Sequence, residues 1–336
     1  ARRYLVLLCG KESPVSELNK FLFDNLPVRG MLVRLDDSWR ELLRRRADGS
    51  AYAPEVRVLL GEMAAAAVLM QANIKFNGAL VLQVFGDGPV KLAVAEVQPD
   101  LHFRVTAKVV GDVPAGAGLE ALVNLHGGGR CAITLDPKDK FPGQQAYQGV
   151  VPLFDMTNGD QREPLQRLSQ VLEHYMLQSE QLDTCLVLAA NDDTAAGLLI
   201  QRMPLQGQGN LGARRNEDDI GLSEAYNRIA LLAGTLTSDE LLALSPEQIL
   251  HRLFWEEPLR LFEPQHPRFA CTCTRDRVRD MLRLLGRDES ESLIAERGLV
   301  EVGCEFCGSQ YRFDAVDVGE MFATPRDQPP ATGVFQ

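Results

Sequence analysis

Four of the seven cysteines gather in the last fifth of the chain. Cys271 and Cys273 form a CxC pair, and Cys304 and Cys307 form a CxxC pair after thirty intervening residues. Each pair offers two sulfurs from one tight turn, and the chain between them can bring the turns together. Four thiolates suit a closed tetrahedral site and favour zinc, with Zn–S of ~2.3 Å. Such a site leaves no open position for water, which argues against hydrolytic chemistry. Iron–sulfur ligation, plain thiols and structural disulfides are the alternatives. Ordinary zinc ribbons use two CxxC knuckles, so the CxC pair is unusual. A bridge from Cys271 to Cys273 would close a very small, strained and readily reduced ring, whereas a CxxC pair bridges more comfortably. The same sulfurs can therefore hold metal when reduced and form two local disulfides when oxidised. Local bridges would not replace the long-range link of a metal, which is worth an apparent ~10–16 kcal/mol in small zinc peptides. On this chemistry a static zinc fold and a redox switch both stand.

The other motifs point to structure. Cys9, Cys131 and Cys185 are isolated, and the latter two open strand-like CAIT and CLVL segments that suit small buried side chains. His126-Gly127-Gly128-Gly129 resembles an esterase oxyanion loop, but no serine has the GxSxG context that chemistry needs. Gly86-Asp87-Gly88 lacks the following helix of a dinucleotide fingerprint and is expected to be a hairpin turn. No Walker A loop and no HExxH are present. His266 precedes Cys271 closely, yet a four-sulfur site needs no fifth ligand. Arg275, Arg277, Arg279 and Arg283 could mark a nucleic-acid-reading helix. From Cys271 through Asp317, however, seven Arg face ten Asp plus Glu with no Lys, so a solvated helix with local ion pairs is expected.

The surrounding elements read as α+β. Helices are expected over residues 16–26, 38–45, 56–73, 165–178, 217–236 and 275–285. The 56–73 segment is apolar nearly all round and follows Pro54, so it reads as a buried helix with proline at its start. Strands are expected over 31–35, 79–85, 90–97, 102–110, 132–135, 147–153, 186–190 and 197–203. Strands mixed with helices, without regular alternation, favour α+β over a doubly wound sheet. Residues 204–216 read as a Gly- and Gln-rich loop. The following helix carries an apolar stripe that includes Ile220, Ile229 and Leu232. Short helices are expected to start near Ser238 and Ser245, with an extended stretch over 254–264. The proline-bearing residues 324–336 read as a frayed tail.

At 336 residues the chain suggests two domains, and 45% hydrophobic with 24% charged residues is ordinary for a soluble globular protein. The formal net charge of −11 argues against generic binding to nucleic acid or anionic lipid. The longest apolar stretch, near residues 56–70, is interrupted by Arg57 and Glu62 and falls short of a ~20-residue membrane span. Arg2, Arg3 and the short apolar run ending at Cys9 resemble a secretory signal faintly. That run is shorter than the ~7–15 residues a signal needs, so a cytoplasmic protein is expected.

The CxC and CxxC pairs, their interval and their place after a long α+β region resemble the heat-shock protein thirty-three family of redox-regulated bacterial holdases. FLFDNLPVRG from Phe21, FGDGP from Phe85, YQGVV from Tyr147, YMLQSEQ from Tyr175 and CEFCGSQYRFD from Cys304 carry the resemblance further, so that it spans about residues 18–318. Residues 1–15 and 321–336 add nothing to it. The resemblance implies an α+β core over 1–204, a helical linker over 205–262, a zinc-binding redox module over 263–320 and a tail over 321–336. It implies one zinc per chain held by Cys271, Cys273, Cys304 and Cys307 in the reduced resting state. Oxidants such as peroxide or hypochlorite, with mild unfolding, would then form Cys271–Cys273 and Cys304–Cys307 disulfides and release the zinc. The module and linker would loosen, unfolding client proteins would be bound without ATP, and the activated chain would dimerise. The expected protein is a chaperone and not an enzyme, without nucleic-acid or membrane partners. The stripe of Ile220, Ile229 and Leu232 is expected to shield the client-binding surface. The rival expectations are a thiol–disulfide oxidoreductase using Cys304-Glu305-Phe306-Cys307 and a static zinc-ribbon adaptor.

Overall fold

The structure is a computed structural model that describes residues 15–47, 51–139, 145–157, 161–203 and 220–323. Among these residues fifteen strands and ten helices form an α+β protein, the class expected from the sequence. The chain separates into two compact units, with the larger one running to Ala270 and the smaller one beginning at Cys271.

In the larger unit, strands β1 (Glu17–Phe23) and β2 (Val28–Leu35) form a hairpin that leads into helices α1 (Asp37–Arg46) and α2 (Pro54–Asn73). Strands β3 (Gly78–Phe85), β4 (Val90–Val97) and β5 (His102–Val109) form a meander, followed by the short helix α3 (Leu119–Val123). Strands β6 (Arg130–Pro137) and β7 (Tyr147–Pro152) come next, then the small hairpin β8 (Phe154–Thr157) and β9 (Gln161–Pro164). Helix α4 (Leu168–Glu180) precedes the hairpin β10 (Thr184–Ala190) and β11 (Ala195–Arg202). Helices α5 (Ile220–Gly234), α6 (Ser238–Ala243) and α7 (Pro246–Phe254) and strands β12 (Leu259–Leu261) and β13 (Arg268–Phe269) complete it.

These strands build two sheets, β10-β11-β2-β1-β12 and β13-β5-β4-β3-β6-β7. All pairings are antiparallel except β13 with β5. Helix α2 lies between the sheets and touches strands of both. Its position explains its sequence: a helix covered on both sides must be apolar all round, and Ala64 to Ala67 keep it slim. Pro54 occupies the first turn, where no amide partner is lost.

The segment 16–26 is a strand and turn, not the expected helix. Leu18 belongs to the core around α2, while Phe21 and Phe23 belong to the opposite core. A strand buried on both faces loses the polar alternation that would betray it, and the spacing of Leu18, Phe21 and Leu22 then imitates a helix. The expected segments 38–45, 56–73, 165–178 and 217–236 are α1, α2, α4 and α5 within a few residues at each end, as far as the described residues reach. The loop expected over 204–216 lies outside the described residues.

Helices α5–α7 cover the face of the five-stranded sheet opposite α2. Ile229, Ala233, Leu236, Leu241, Ile249, Leu253 and Phe254 bury themselves against Phe21, Phe23, Leu32, Leu198 and Ile200. The Phe254 ring meets Phe23 edge-on at 5.0 Å between centroids. Thr237 and Ser245 cap α6 and α7 as capping boxes with Glu240 and Gln248. Arg34 of β2 reaches out of the sheet to this layer. Its Nη1 donates to the carbonyls of Leu244 at 2.7 Å and Leu241 at 3.2 Å, its Nη2 to Leu242 at 3.1 Å, and Asp36 holds the guanidinium from behind. The carbonyls at the end of α6 thus find partners that a helix cannot supply itself.

Gly61 sets the distance between α2 and the β10–β11 hairpin. A Cβ built there would stand 2.4 Å from the Ala190 Cβ and 3.2 Å from the Ala195 Cβ. Elsewhere in a helix Gly→Ala stabilises by about 0.5–1 kcal/mol. Here Gly61→Ala is expected to destabilise by about 1–3 kcal/mol through overpacking, read as a lower urea midpoint. A midpoint at or above the parent's would contradict this contact.

Candidate metal centre

The smaller unit carries helices α8 (Arg275–Leu285) and α9 (Arg287–Arg297), the hairpin β14 (Val300–Gly303) and β15 (Gln310–Phe313), and helix α10 (Ala315–Phe322). Helix α8 coincides with the helix expected between the cysteine pairs. Its N-cap Thr274 accepts the Arg277 amide, and Gly286 ends it at φ +103°. Helices α9 and α10 have no counterpart in the sequence reading. Helix α9 carries charge on most of its surface, with Leu293 and Ile294 packed on the core, so its periodicity is faint. Five buried apolar side chains, Leu282, Val300, Phe313, Val318 and Met321, make that core.

The first cysteine pair lies in the extended lead into α8, and the second in the turn of the β14–β15 hairpin. The turn is closed by Gly308 N–H on the Cys304 carbonyl at 2.8 Å and Cys304 N–H on the Ser309 carbonyl at 2.9 Å. Gly308 adopts φ +74°, which a side chain would strain. This hairpin places the CxxC outside the strand-to-helix setting a thioredoxin-like dithiol uses.

All four Sγ atoms lie within 4.8 Å of one another. Cys271 and Cys304 approach to 3.5 Å and Cys273 and Cys307 to 3.3 Å, so the nearest contacts run across the pairs. Four sulfurs tetrahedrally placed about one zinc stand about 3.8 Å apart for Zn–S near 2.3 Å, a spacing this cluster brackets. The cysteines are free thiols. The donor set therefore fits one closed, all-sulfur ion site. His266 takes no part, since its Nδ1 lies 3.2 Å from the Ser16 carbonyl oxygen in the larger unit.

The sulfurs differ in their surroundings. Burial pushes the Cys271, Cys273 and Cys304 thiols up. Burial also opposes ionisation of Cys307, but hydrogen bonds from Ser309 and the neighbouring thiols outweigh it and lower its pKa to about 7. The Tyr311 hydroxyl donates to the Cys273 sulfur at 3.1 Å. The sequence reading missed Tyr311 and Ser309. The signal was there: Tyr311 shares strand parity with Phe313, which is fully buried, so its ring had to point inward.

Three of the four arginines of α8 are tied within the unit, while the Nε of Arg279 is buried without a hydrogen-bond partner. Arg275 donates to Asp317 and to the Arg312 carbonyl, and its guanidinium stacks over Phe313 at 4.3 Å. Arg277 donates to the Thr272 carbonyl between the first two cysteines, and Arg283 to Asp280 and the Met321 carbonyl.

The remaining sequence candidates are structural. Gly86-Asp87-Gly88 is the β3–β4 turn, and the Asp87 carboxylate accepts the amides of His126 at 3.2 Å and Gly128 at 2.7 Å. The glycine loop and the acidic turn thus satisfy each other. Cys131 and Cys185 stand in β6 and β10, and burial pushes each thiol up to about 12. Cys9 lies outside the described residues. Of the expected shielding stripe, Ile229 is fully buried against the five-stranded sheet and Leu232 is half-buried there, while the side chain of Ile220 lies outside the described residues.

Comparison with known proteins agrees with this arrangement. The family model described as "Hsp33 protein" matches residues 16–314. A 33 kDa chaperonin of Chromobacterium violaceum is 45% identical over 307 residues, which cover 91% of this chain and 93% of the relative. A 33 kDa chaperonin of Neisseria meningitidis serogroup A is 41% identical over 304 residues, 90% of each chain. The crystal structure of a 33 kDa chaperonin from Thermotoga maritima shares the fold, with a TM-score of 0.69 at 20% identity over 91% of this chain and 97% of that one. With its four clustered thiols, its two-sheet core and a family match across most of its length, the chain belongs to the Hsp33 family.

Proposed function

We propose that this chain is a redox-regulated, ATP-independent holdase chaperone, cytoplasmic and without catalytic turnover. The observation that carries the proposal is the cluster of four thiols within 4.8 Å at one end of a unit with a five-residue core. The names of the relatives support the chaperone activity, and the donor set supports zinc, one per chain.

In the reduced state Cys271, Cys273, Cys304 and Cys307 hold the ion and so join the lead into α8 to the β14–β15 turn. The bound zinc supplies a structural brace and keeps its ligands as thiolates. Under oxidation each pair of thiolates, Cys271 with Cys273 and Cys304 with Cys307, would give two electrons to one peroxide, which takes two protons from solvent and leaves as two waters. Disulfide sulfurs are poor ligands, so the four cysteines would no longer hold an ion and the lead into α8 would lose its link to the β14–β15 turn. The segment 263–320 then loosens, and the linker over 205–262 follows. Loss of α5–α7 uncovers the sheet face lined by Phe21, Phe23, Leu32 and Ile200, an apolar surface able to hold unfolding proteins without sequence preference. A pair of such chains, each with an uncovered face, is expected to dimerise.

Reduced protein is expected to contain one zinc per chain. Peroxide treatment should release it in step with a gain in suppressing light scattering by an aggregating protein. Metal-free reduced protein, or zinc release without a gain of activity, would defeat the proposal.

The Tyr311 contact leads to a graded outcome. A hydrogen bond to a charged sulfur is worth about 1.5 kcal/mol or a little more, close to one pK step, and nucleophilicity of thiolates follows basicity with a Brønsted slope of about 0.4–0.5. Tyr311→Phe is thus expected to speed peroxide-driven zinc release roughly 3-fold at unchanged zinc stoichiometry. An unaltered rate would show that the phenol does not govern Cys273.

The linker stripe provides a third check. Truncating a buried Ile costs about 2–5 kcal/mol. The pair Ile229→Ser and Leu232→Ser is expected to give aggregation suppression without oxidant while zinc stays bound. Activity as low as the parent's would remove the shielding role.

A further inference from the structure

Strand β10 is the outer strand of the five-stranded sheet, and helix α4 packs beside its free edge. Three contacts fix which of its groups face outward. Arg202 N–H bonds the Asp183 carbonyl and Asn191 N–H the Thr194 carbonyl, so odd-numbered residues pair with β11. Leu182 N–H turns the other way to Met176, and Leu186 N–H donates at 2.7 Å to the Glu173 carboxylate of α4. Even-numbered residues therefore present their amides and carbonyls to the edge. Among the described residues no group bonds the Leu186 carbonyl or the Leu188 amide and carbonyl.

These groups border a cavity of about 330 Å³ whose wall includes residues 185–188 of β10. Its other walls are Glu62 of α2, Arg167 and Glu173 at α4, and the α5–α6 corner from Gly234 to Ser238. The cavity holds two carboxylates against one guanidinium. Among the described residues nothing hydrogen-bonds the Glu62 carboxylate, and burial pushes its pKa up to about 7. A carboxylate so placed, with Arg167 as its only charged neighbour of note, is short of positive charge.

We propose that β10 is a docking strand: an extended segment of an unfolded polypeptide pairs with the main chain of Leu186 and Leu188 where they border the cavity, with a basic side chain set between Glu62 and Glu173. Main-chain hydrogen bonds to Leu186 and Leu188 would give affinity without regard to sequence, and the carboxylates a bias toward Lys and Arg. The α5–α6 corner forms one wall, so its departure widens the groove. The inference rests on the holdase reading, and it adds where and in what conformation a client binds.

Cys185 lies in the same cavity and serves as a built-in reporter. The probe is a ten-residue peptide of alternating Val and Thr with one Lys, bearing an N-terminal cysteine activated as its thiopyridyl disulfide. Once α5 leaves, Cys185 loses the cover that raises its pKa, and its thiolate attacks that disulfide, forms the bond to the peptide sulfur and expels thiopyridone. The full chain, oxidised by peroxide, is mixed with the peptide and the labelled cysteine is located by mass spectrometry. Labelling of Cys185 is expected to fall about 10-fold when alternate peptide amides are N-methylated, as the loss of paired main-chain hydrogen bonds implies. Replacing the peptide Lys by Glu should also slow it, and the Glu62→Gln and Glu173→Gln double variant should erase that preference, since the side-chain amide oxygen introduced in α4 can still accept the Leu186 N–H. Equal labelling by the methylated and unmethylated peptides would overturn the docking strand. If that equality is found in oxidised protein that suppresses aggregation, the holdase reading stands and this inference alone fails. If the oxidised protein neither suppresses aggregation nor discriminates the peptides, both fall.

Discussion

The cluster of four sulfurs is the constraint on which the smaller unit depends. Leu282, Val300, Phe313, Val318 and Met321 are its buried apolar side chains, a small number for a segment with three helices and a hairpin. Units of this size are seldom stable on apolar burial alone and commonly need disulfides or a metal. The ion pairs around it, Arg275 with Asp317 or Arg312 with Glu301, lie at the surface and add little each. A link between the lead into α8 and the β14–β15 turn therefore decides whether the unit holds together. On the proposed reading that dependence suits a sensor, because chemistry at four atoms would be enough to remove the link.

The larger unit is built on the opposite plan. Its five-stranded sheet is covered on one side by α2, a helix clasped between two sheets and buried along most of its length. On the other side lie α5–α7, three short helices joined by turns and exposed on their outer surfaces. Both faces of the sheet are apolar, but only one covering is locked into the core. Short helices owe their stability to the surface on which they rest. On the proposed reading such a layer would leave as a unit while α2 keeps the sheet intact. Arg34 belongs to this design: held by Asp36, it fixes the end of α6 through main-chain carbonyls, a contact that vanishes once α6 unwinds.

What the sequence disclosed follows from how local each signal is. The cysteine spacing singled out the four thiols that the structure clusters, because ligand chemistry depends on residue type before it depends on fold. Pro54 and the long apolar run, interrupted by Arg57 and Glu62, announced α2, and Thr274 with Gly286 bounded α8. The strand β1 was hidden because Leu18 and Phe21 serve two different cores, so neither face reads as polar. Helix α9 was hidden for the converse reason, since Arg287 to Arg297 offers only Leu293 and Ile294 to the core. Arg34 and Tyr311 were out of reach of any local rule, because their partners lie 207 residues and 38 residues away in the chain.

The distribution of thiol reactivity follows from the same division of labour. Cys131 and Cys185 sit on strands of the larger unit, and burial lifts both to about 12, so almost none of either is thiolate at neutral pH. Burial also lifts Cys271, Cys273 and Cys304. An ion held by these sulfurs requires them as thiolates, the form that oxidants attack. The bond that braces the unit is thus the bond that makes its cysteines oxidisable, and the first sulfur lost to oxidation weakens the site for the other three. On the proposed reading, selectivity among the cysteines and cooperativity of the switch would have one origin, and neither would require a separate recognition site for the oxidant.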